Sequence, residues 1–220
     1  AETPDRSVFY DELLTSYGET LTARPHAMGF FDWFQKQGAD ALASGRHDAD
    51  LLFRRVGITF NVYGDQEGAE RLIPFDLIPR ILTAAEWSTL ERGLAQRVNA
   101  LNAFLQDIYH EQRIIAEKIV PADLIHQNPQ YRPELHGVKL PHDVWAHISG
   151  IDIVRAEKGE FYVLEDNLRV PSGVSYMIED RKVMMRLFPE IFASNSVAPV
   201  EHYPDLLLEH LRSIAPVGVE

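Results

Sequence analysis

Trp87, Leu90, Leu94, Val98, Leu101, Leu105 and Ile108 recur at spacings of three and four. That period commits the segment to one long amphipathic helix. Thr83 stands three residues before Glu86, the spacing of a capping box, so the helix is predicted from about Ala84 to about Gln112. A continuous apolar stripe marks a core element, so the helix reads as scaffold rather than catalytic machinery. Gln96, Arg97 and Asn102 lie off the stripe.

On either side of this helix the pattern changes. "FYDELLTSYG" and "MGFFDWFQKQGADALASG" read as two short amphipathic helices, and "VGITFNVYG" and "RLIPF" as strands joined by a turn at 65–70. Residues 121–142 are broken by Pro129, Pro133, Gly137 and Pro141, which suggests short turns and loops with room for one helical turn. Their histidines, His126, His136 and His142, lack the i, i+4 spacing of a helical metal site. Strands are predicted at 142–156 and 160–170, then helices at 176–192 and 202–214. The fold class is α+β, a mixed or antiparallel sheet packed on long helices. No internal repeat is evident, so 1–220 reads as a single region, with a helical lead-in over 1–56 and the core over 57–220.

Composition narrows the function. The 220 residues carry a formal charge of −12, which argues against a nucleic-acid partner. No apolar run approaches the ~18 residues of a membrane span, and the polar "AETPDRSVFY" lacks the apolar segment of a signal peptide. The first residue is Ala rather than Met, which suggests a native start that is trimmed or missing. With no cysteine there is no thiolate metal site and no catalytic thiol, in keeping with a cytoplasmic protein.

The chemistry concentrates in "VWAHISGIDIVRA" and "EFYVLEDNLRV", separated by Glu157-Lys158-Gly159-Glu160. X-Gly between apolar runs is a hairpin signal. A two-residue turn at Lys158-Gly159, or a four-residue loop over 157–160, sets Asp152 opposite Glu165 and Gly150 opposite Asn167. A three-residue loop would shift that register. One face of this hairpin (about 143–170) then carries Asp152, Glu165, Asn167 and Arg169, with Gly150 leaving open space. The other face carries Ile151, Ile153, Leu164 and Leu168. Opposed carboxylates repel unless positive charge lies between them. A hard dication held by carboxylate and amide oxygens resolves the conflict and leaves room for phosphate. The alternative is a pair of surface charges at a sheet edge, or local neutralisation by Arg169. After the hairpin, Pro171-Ser172-Gly173-Val174-Ser175 leads into a helix, so its backbone N–H groups can cradle an anion. It can equally be a turn with Ser172 or Ser175 as a helix cap.

"GIDIVR" followed by "FYVLEDNLRVPSGVSY" resembles the last strands of ATP-grasp ligases. The wider text, "GITFNVYGD", "IPFDLIPRIL", "EWSTLERGLAQRVNALNAFLQDIY" and "EDNLRVPSGVSY", is similar to the circularly permuted ATP-grasp proteins related to glutathionylspermidine synthetase. The resemblance covers most of the chain from about Gly29. It implies an ATP-grasp-like half in which Asp152, Glu165 and Asn167 bind Mg2+. Arg169 would contact the transferring phosphate as the catalytic residue, and Arg169, Ser172 and Gly173 would contact ATP or substrate. Glu179 and Arg181 in "YMIEDR" match the family text without an assigned role. Many ATP-grasp ligases place an arginine two residues before the metal-binding Asp, where this chain has Gly150. Arg169 or a residue outside this chain then has to stabilise the phosphate. The five lysines, Lys36, Lys118, Lys139, Lys158 and Lys182, suggest no adenine clamp. The 220 residues therefore read as the N-terminal, magnesium-binding portion of a longer protein whose remainder completes the site.

The function so implied is ATP-dependent carboxylate–amine ligation of small molecules or peptides through an acyl phosphate, inactive in this portion alone. Two rivals differ in class. One is a hydrolase using Asp152 and Glu165 as an acid and nucleophile pair. The other is a non-catalytic module that keeps the fold and binds a peptide or partner protein.

Overall fold

The computed structural model describes residues 10–17, 20–57, 59–61, 70–72, 74–216 and 218. The chain divides into two units. One comprises Ala1–Thr83, Glu157–Gly159 and Gly173–Tyr203, and the other Ala84–Ala156, Glu160–Ser172 and Pro204–Glu220.

In the first unit, β1 (Leu14–Tyr17) and β2 (Thr20–Ala23) form an antiparallel pair with Leu14 opposite Ala23. A helix was expected over the start of this segment. Instead the Asp11 carboxylate accepts the N–H groups of Leu13 and Leu14, and this local turn competes with the first helical turn. Threonines 15, 20 and 22 then favour the pleat. The next predicted helix is two, α1 (Met28–Lys36) and α2 (Ala39–Val56), parted at Gln37-Gly38. Helix α2 runs on to Gly57, which at φ 73° caps it in the left-handed conformation. Strands β3 (Thr59–Asn61) and β4 (Glu70–Leu72) pair antiparallel. Residues 65–69 of the turn expected between them, and Ile58 and Val62 of the predicted strand, lie outside the described residues, while Glu70, expected in that turn, opens β4.

The single helix predicted over 176–192 is α6 (Val174–Leu187) and α7 (Pro189–Ser194), because Pro189 cannot continue the α6 hydrogen bonds. This unit has two apolar clusters. Ala49, Phe53 and Val183 pack with Phe75 and Tyr176, and Phe30, Phe188 and Ile191 with Trp33, Leu77 and Met184.

The second unit is organised by α3 (Ala84–Ile108). Leu90 and Ile108 are buried and Leu94, Val98, Leu101 and Leu105 are partly buried, but Trp87 is 56% exposed. The buried stripe therefore starts one turn later than the sequence period suggests. The helix ends short of Gln112 because the Asp107 carboxylate accepts the N–H groups of Arg113 and Ile114. That bond turns the chain into α4 (Arg113–Ala116), with Gln112 left-handed at φ 54°. Helix α5 (Ala122–His126) follows. Ile108, Tyr109 and Ile125 form the core with Phe104, Leu105, Tyr131 and Trp145. Tyr109 stacks on Trp145 and on Tyr131 at ring separations of 4.7 and 5.2 Å.

Strands β5 (Gly150–Arg155) and β6 (Phe161–Asn167) are antiparallel, and α8 (Tyr203–Ser213) ends the described elements. Strand β5 does not begin at His142 as expected. The Trp145 and Ala146 N–H groups are drawn away from sheet pairing by Asn102 Oδ1 of α3, at 2.7 and 2.9 Å. The architecture is α+β, as expected, but among the described residues the strands form three separate two-stranded antiparallel sheets rather than one mixed sheet. No helix among these residues is long and apolar enough to cross a membrane.

Candidate functional site

The β5–β6 hairpin places Asp152 opposite Glu165 and Gly150 opposite Asn167. The expected pairing is present, although the turn differs from the one expected. The loop has three residues, Glu157 to Gly159, closed by the Ala156 N–H donating to Glu160 O at 2.9 Å, with Gly159 left-handed at φ 82°. This loop shifts the register near the turn, so that Arg155 faces Phe161, Val154 faces Tyr162 and Ile153 faces Val163. A β-bulge then leaves Leu164 without a partner and restores the Asp152–Glu165 register. Leu164, expected on the helix-packing face, is 70% exposed instead. Val163, on the face of Ile151 and Ile153, takes its place.

Asp152 and Glu165 are both exposed, while Asn167 is half-buried. None of the three makes a side-chain hydrogen bond or ion pair among the described residues. The described residues contain no group of three or more His, Cys, Asp or Glu arranged to hold a metal ion. Two hard carboxylates and one amide oxygen nonetheless suit Mg2+, which takes few protein ligands and fills its shell with water and phosphate.

Gly150 does not leave open space. A Cβ built there would stand 2.8 Å from Pro171 Cβ and 3.6 Å from Asn167 Cβ. The proline thus closes over the glycine, in the position where the resemblance would put an arginine. Between Asn167 and Pro171 the chain passes through Val170, a β-branched residue at φ 51° that is 83% exposed. Such a conformation costs about 1–3 kcal/mol and collects at functional sites. Arg169 and Ser172 are exposed. Gly173, left-handed at φ 98°, is the N-cap of α6 in the first unit.

The opposite face of the hairpin is not simply apolar. Asp166, opposite Ile151, receives a two-pronged bond from Arg97 of α3, at 2.7 and 2.5 Å. That hydrogen bond, before any through-space attraction, holds the Asp166 carboxyl below its usual range. Nearer the turn, Arg155 pairs with Glu86 of the same helix, its side chain only 8% exposed. Sequence reasoning noticed Arg97 only as lying off the apolar stripe and did not single out Asp166. The available signal was an acid at the alternate position between Leu164 and Leu168, on the face that otherwise reads as apolar.

Glu179 and Arg181 both have local partners in the first unit. Glu179 pairs with Lys182, and Arg181 donates to Ala198 O at 2.7 Å. None of the five lysines lies in a strand.

Comparison with known proteins adds the family. The family described as "A circularly permuted ATPgrasp" matches residues 79–220. An uncharacterized protein of Synechocystis sp. is 44% identical over 212 residues, covering 96% of this chain and 44% of that protein. An uncharacterized protein of Mycobacterium tuberculosis is 39% identical over 216 residues, 90% of this chain and 38% of its own length. A Frankia alni protein named "Putative glutamate--cysteine ligase 2-3" is 39% identical over 214 residues, 96% of this chain and 24% of its own. The chain spans less than half the length of each of these relatives. With the whole of the hairpin-bearing unit inside the matched residues, the chain belongs to the circularly permuted ATP-grasp family.

Proposed function

We propose that this chain is the magnesium- and phosphate-binding half of an ATP-dependent carboxylate–amine ligase. The observation that carries the reading is the exposed, unpaired Asp152–Glu165 couple with Asn167 on the same strand as Glu165, within a family built to bind ATP. Asp152, Glu165 and Asn167 would hold Mg2+, which supplies charge neutralisation on the phosphates. Arg169 follows on the exposed loop, where its guanidinium can balance the charge of the transferring phosphoryl group. Ser172 and Gly173 offer backbone N–H donors to phosphate oxygens. Positioning and charge neutralisation of this kind carry most of phosphoryl-transfer catalysis.

In this reaction the substrate carboxylate attacks the γ-phosphorus of ATP and ADP leaves, giving an acyl phosphate. An amine then attacks the acyl carbon, phosphate departs, and the amine loses a proton. No protein nucleophile is required, in agreement with a chain that has no cysteine. The name of the Frankia relative belongs to the carboxylate–amine ligase class and supports that class for this chain. Small-molecule or peptide acids and amines are the substrates proposed, with the remainder of a longer chain completing the site.

The test has two arms on the full-length protein. Phosphate release is measured against a panel of acids and amines with ATP and Mg2+, and Mn2+ affinity with ATP is measured for wild type and Glu165→Gln. The proposal expects acid- and amine-dependent phosphate release and a loss of metal affinity in the variant. An unchanged affinity in Glu165→Gln would remove the metal-ligand assignment.

A further inference from the structure

We infer that Arg97 is a positioning residue, one that locks the register of β6 so that Glu165 and Asn167 face the metal side of the hairpin. The inference rests on the ligand assignment proposed above and adds to it a residue of α3 that touches no ligand.

Asp166 lies between Glu165 and Asn167, and in a strand successive side chains point to opposite faces. Arg97 holds both Asp166 oxygens, Nε to Oδ1 at 2.7 Å and Nη2 to Oδ2 at 2.5 Å. A planar guanidinium fork on a carboxylate fixes orientation as well as distance. With Asp166 tied to the helix side, its two neighbours are directed to the other.

The hairpin needs such a device. Among the described residues it has two strands, with no third to hold its register. It also carries a bulge at Leu164, immediately before Glu165. If the bulge were lost, the turn-side register would run on through β6, pairing Asp152 with Leu164 and turning Glu165 and Asn167 to the other face. The Arg155–Glu86 pair holds the turn side of the bulge, and Arg97–Asp166 holds the ligand side. Removing the first takes the Glu86 carboxylate from a nearly buried arginine, whereas the second pair has its arginine side chain 44% exposed and adds less to global stability. The two pairs therefore make opposite predictions for stability and for metal binding.

The experiment uses the full-length protein with ATP, titrated with Mn2+ and followed by electron paramagnetic resonance, with thermal melts in parallel. Wild type is compared with Arg97→Gln, Arg97→Lys, Glu86→Gln and Glu165→Gln. Arg97→Gln should weaken Mn2+ binding about ten-fold or more, as loss of a group that orients a metal ligand does, with little change in melting temperature. Arg97→Lys, with the charge but not the fork, should fall between. Glu86→Gln should melt lower yet bind Mn2+ within about two-fold of wild type, since the ligand-side tether is intact. If Glu165→Gln loses the metal while Arg97→Gln keeps wild-type affinity, the positioning role is wrong and the ligand assignment stands. If Arg97→Gln and Glu86→Gln lose affinity in proportion to lost stability, Arg97 is merely structural and the inference fails. If Glu165→Gln keeps its affinity, the ligand assignment falls and takes this inference with it.

Discussion

Gly150→Ala measures how closely Pro171 approaches the hairpin beside Asn167. In an ordinary strand this change stabilises by about 0.5–1 kcal/mol, because glycine loses more conformational freedom on folding. Gly150 has no left-handed φ that would forbid alanine. The obstacle is space, since the new Cβ would stand 2.8 Å from Pro171 Cβ, whereas carbon atoms rest comfortably about 3.5–4.0 Å apart. The proline must retreat by about 0.7–1 Å. Its Cβ is a ring atom fixed to the backbone, so it cannot swing aside as a long side chain would. The residue before it, Val170, is already at φ 51°.

Overpacking of this kind costs about 1–3 kcal/mol. Net of the glycine effect, Gly150→Ala should destabilise by about 1–2 kcal/mol, a fall of about 2–8 °C in melting temperature for a chain of this size. Urea and thermal unfolding give the number, and a second background assigns its cause. Pro171→Gly removes the obstructing Cβ, so Gly150→Ala there should be neutral or stabilising, a coupling of about 1–3 kcal/mol between the two positions. If Gly150→Ala stabilises the wild type, or has the same effect in both backgrounds, the close approach is not real and the account of the hairpin mouth is wrong.

Other expectations follow from burial and charge. Ile108→Ala, in the Tyr109–Ile125 core, should cost about 2–5 kcal/mol, while Trp87→Ala should stay within about 0.5 kcal/mol. Equal losses in chemical denaturation would show that the whole stripe is buried after all. His147 is held below the ordinary histidine value, by burial first and then by the charge of His210, whose ring lies 5.8 Å away. Its neutral form is favoured by folding, so its contribution is full above the unfolded value of about 6.5 and is lost as pH falls through that value toward the folded one. An NMR titration should find the His147 midpoint below 6.5 and moving up in His210→Gln; a midpoint at or above 6.5 overturns the assignment. Finally, the 220 residues alone should not turn over ATP. Stoichiometric hydrolysis by the purified segment would show that no further lobe is needed.

Much of the candidate site was legible because it depends on local periodicities. The two-residue period of a strand puts Glu165 and Asn167 on one face, and the apolar runs on either side of Gly159 make a hairpin, whichever turn joins them. The helical period of Leu90 to Ile108 established α3 in the same way. Tertiary contacts decided the rest. The turn took three residues rather than two or four, and only the bulge at Leu164 restored the pairing of Asp152 with Glu165. No local pattern announces a bulge, because it answers to what the two faces must meet. Asn102 withdrew Trp145 and Ala146 from the strand, and Asp107 ended α3 early. Each replaced a regular hydrogen bond with a side-chain partner that periodicity does not show. Arg97 and Asp166 stand 69 residues apart, and their pairing had to wait for the fold. The sequence by itself determined which residues could serve a cation, since residue chemistry and strand alternation are local. Only the tertiary structure decided what holds them in place, because an ion pair between distant segments exists only once packing has brought them together.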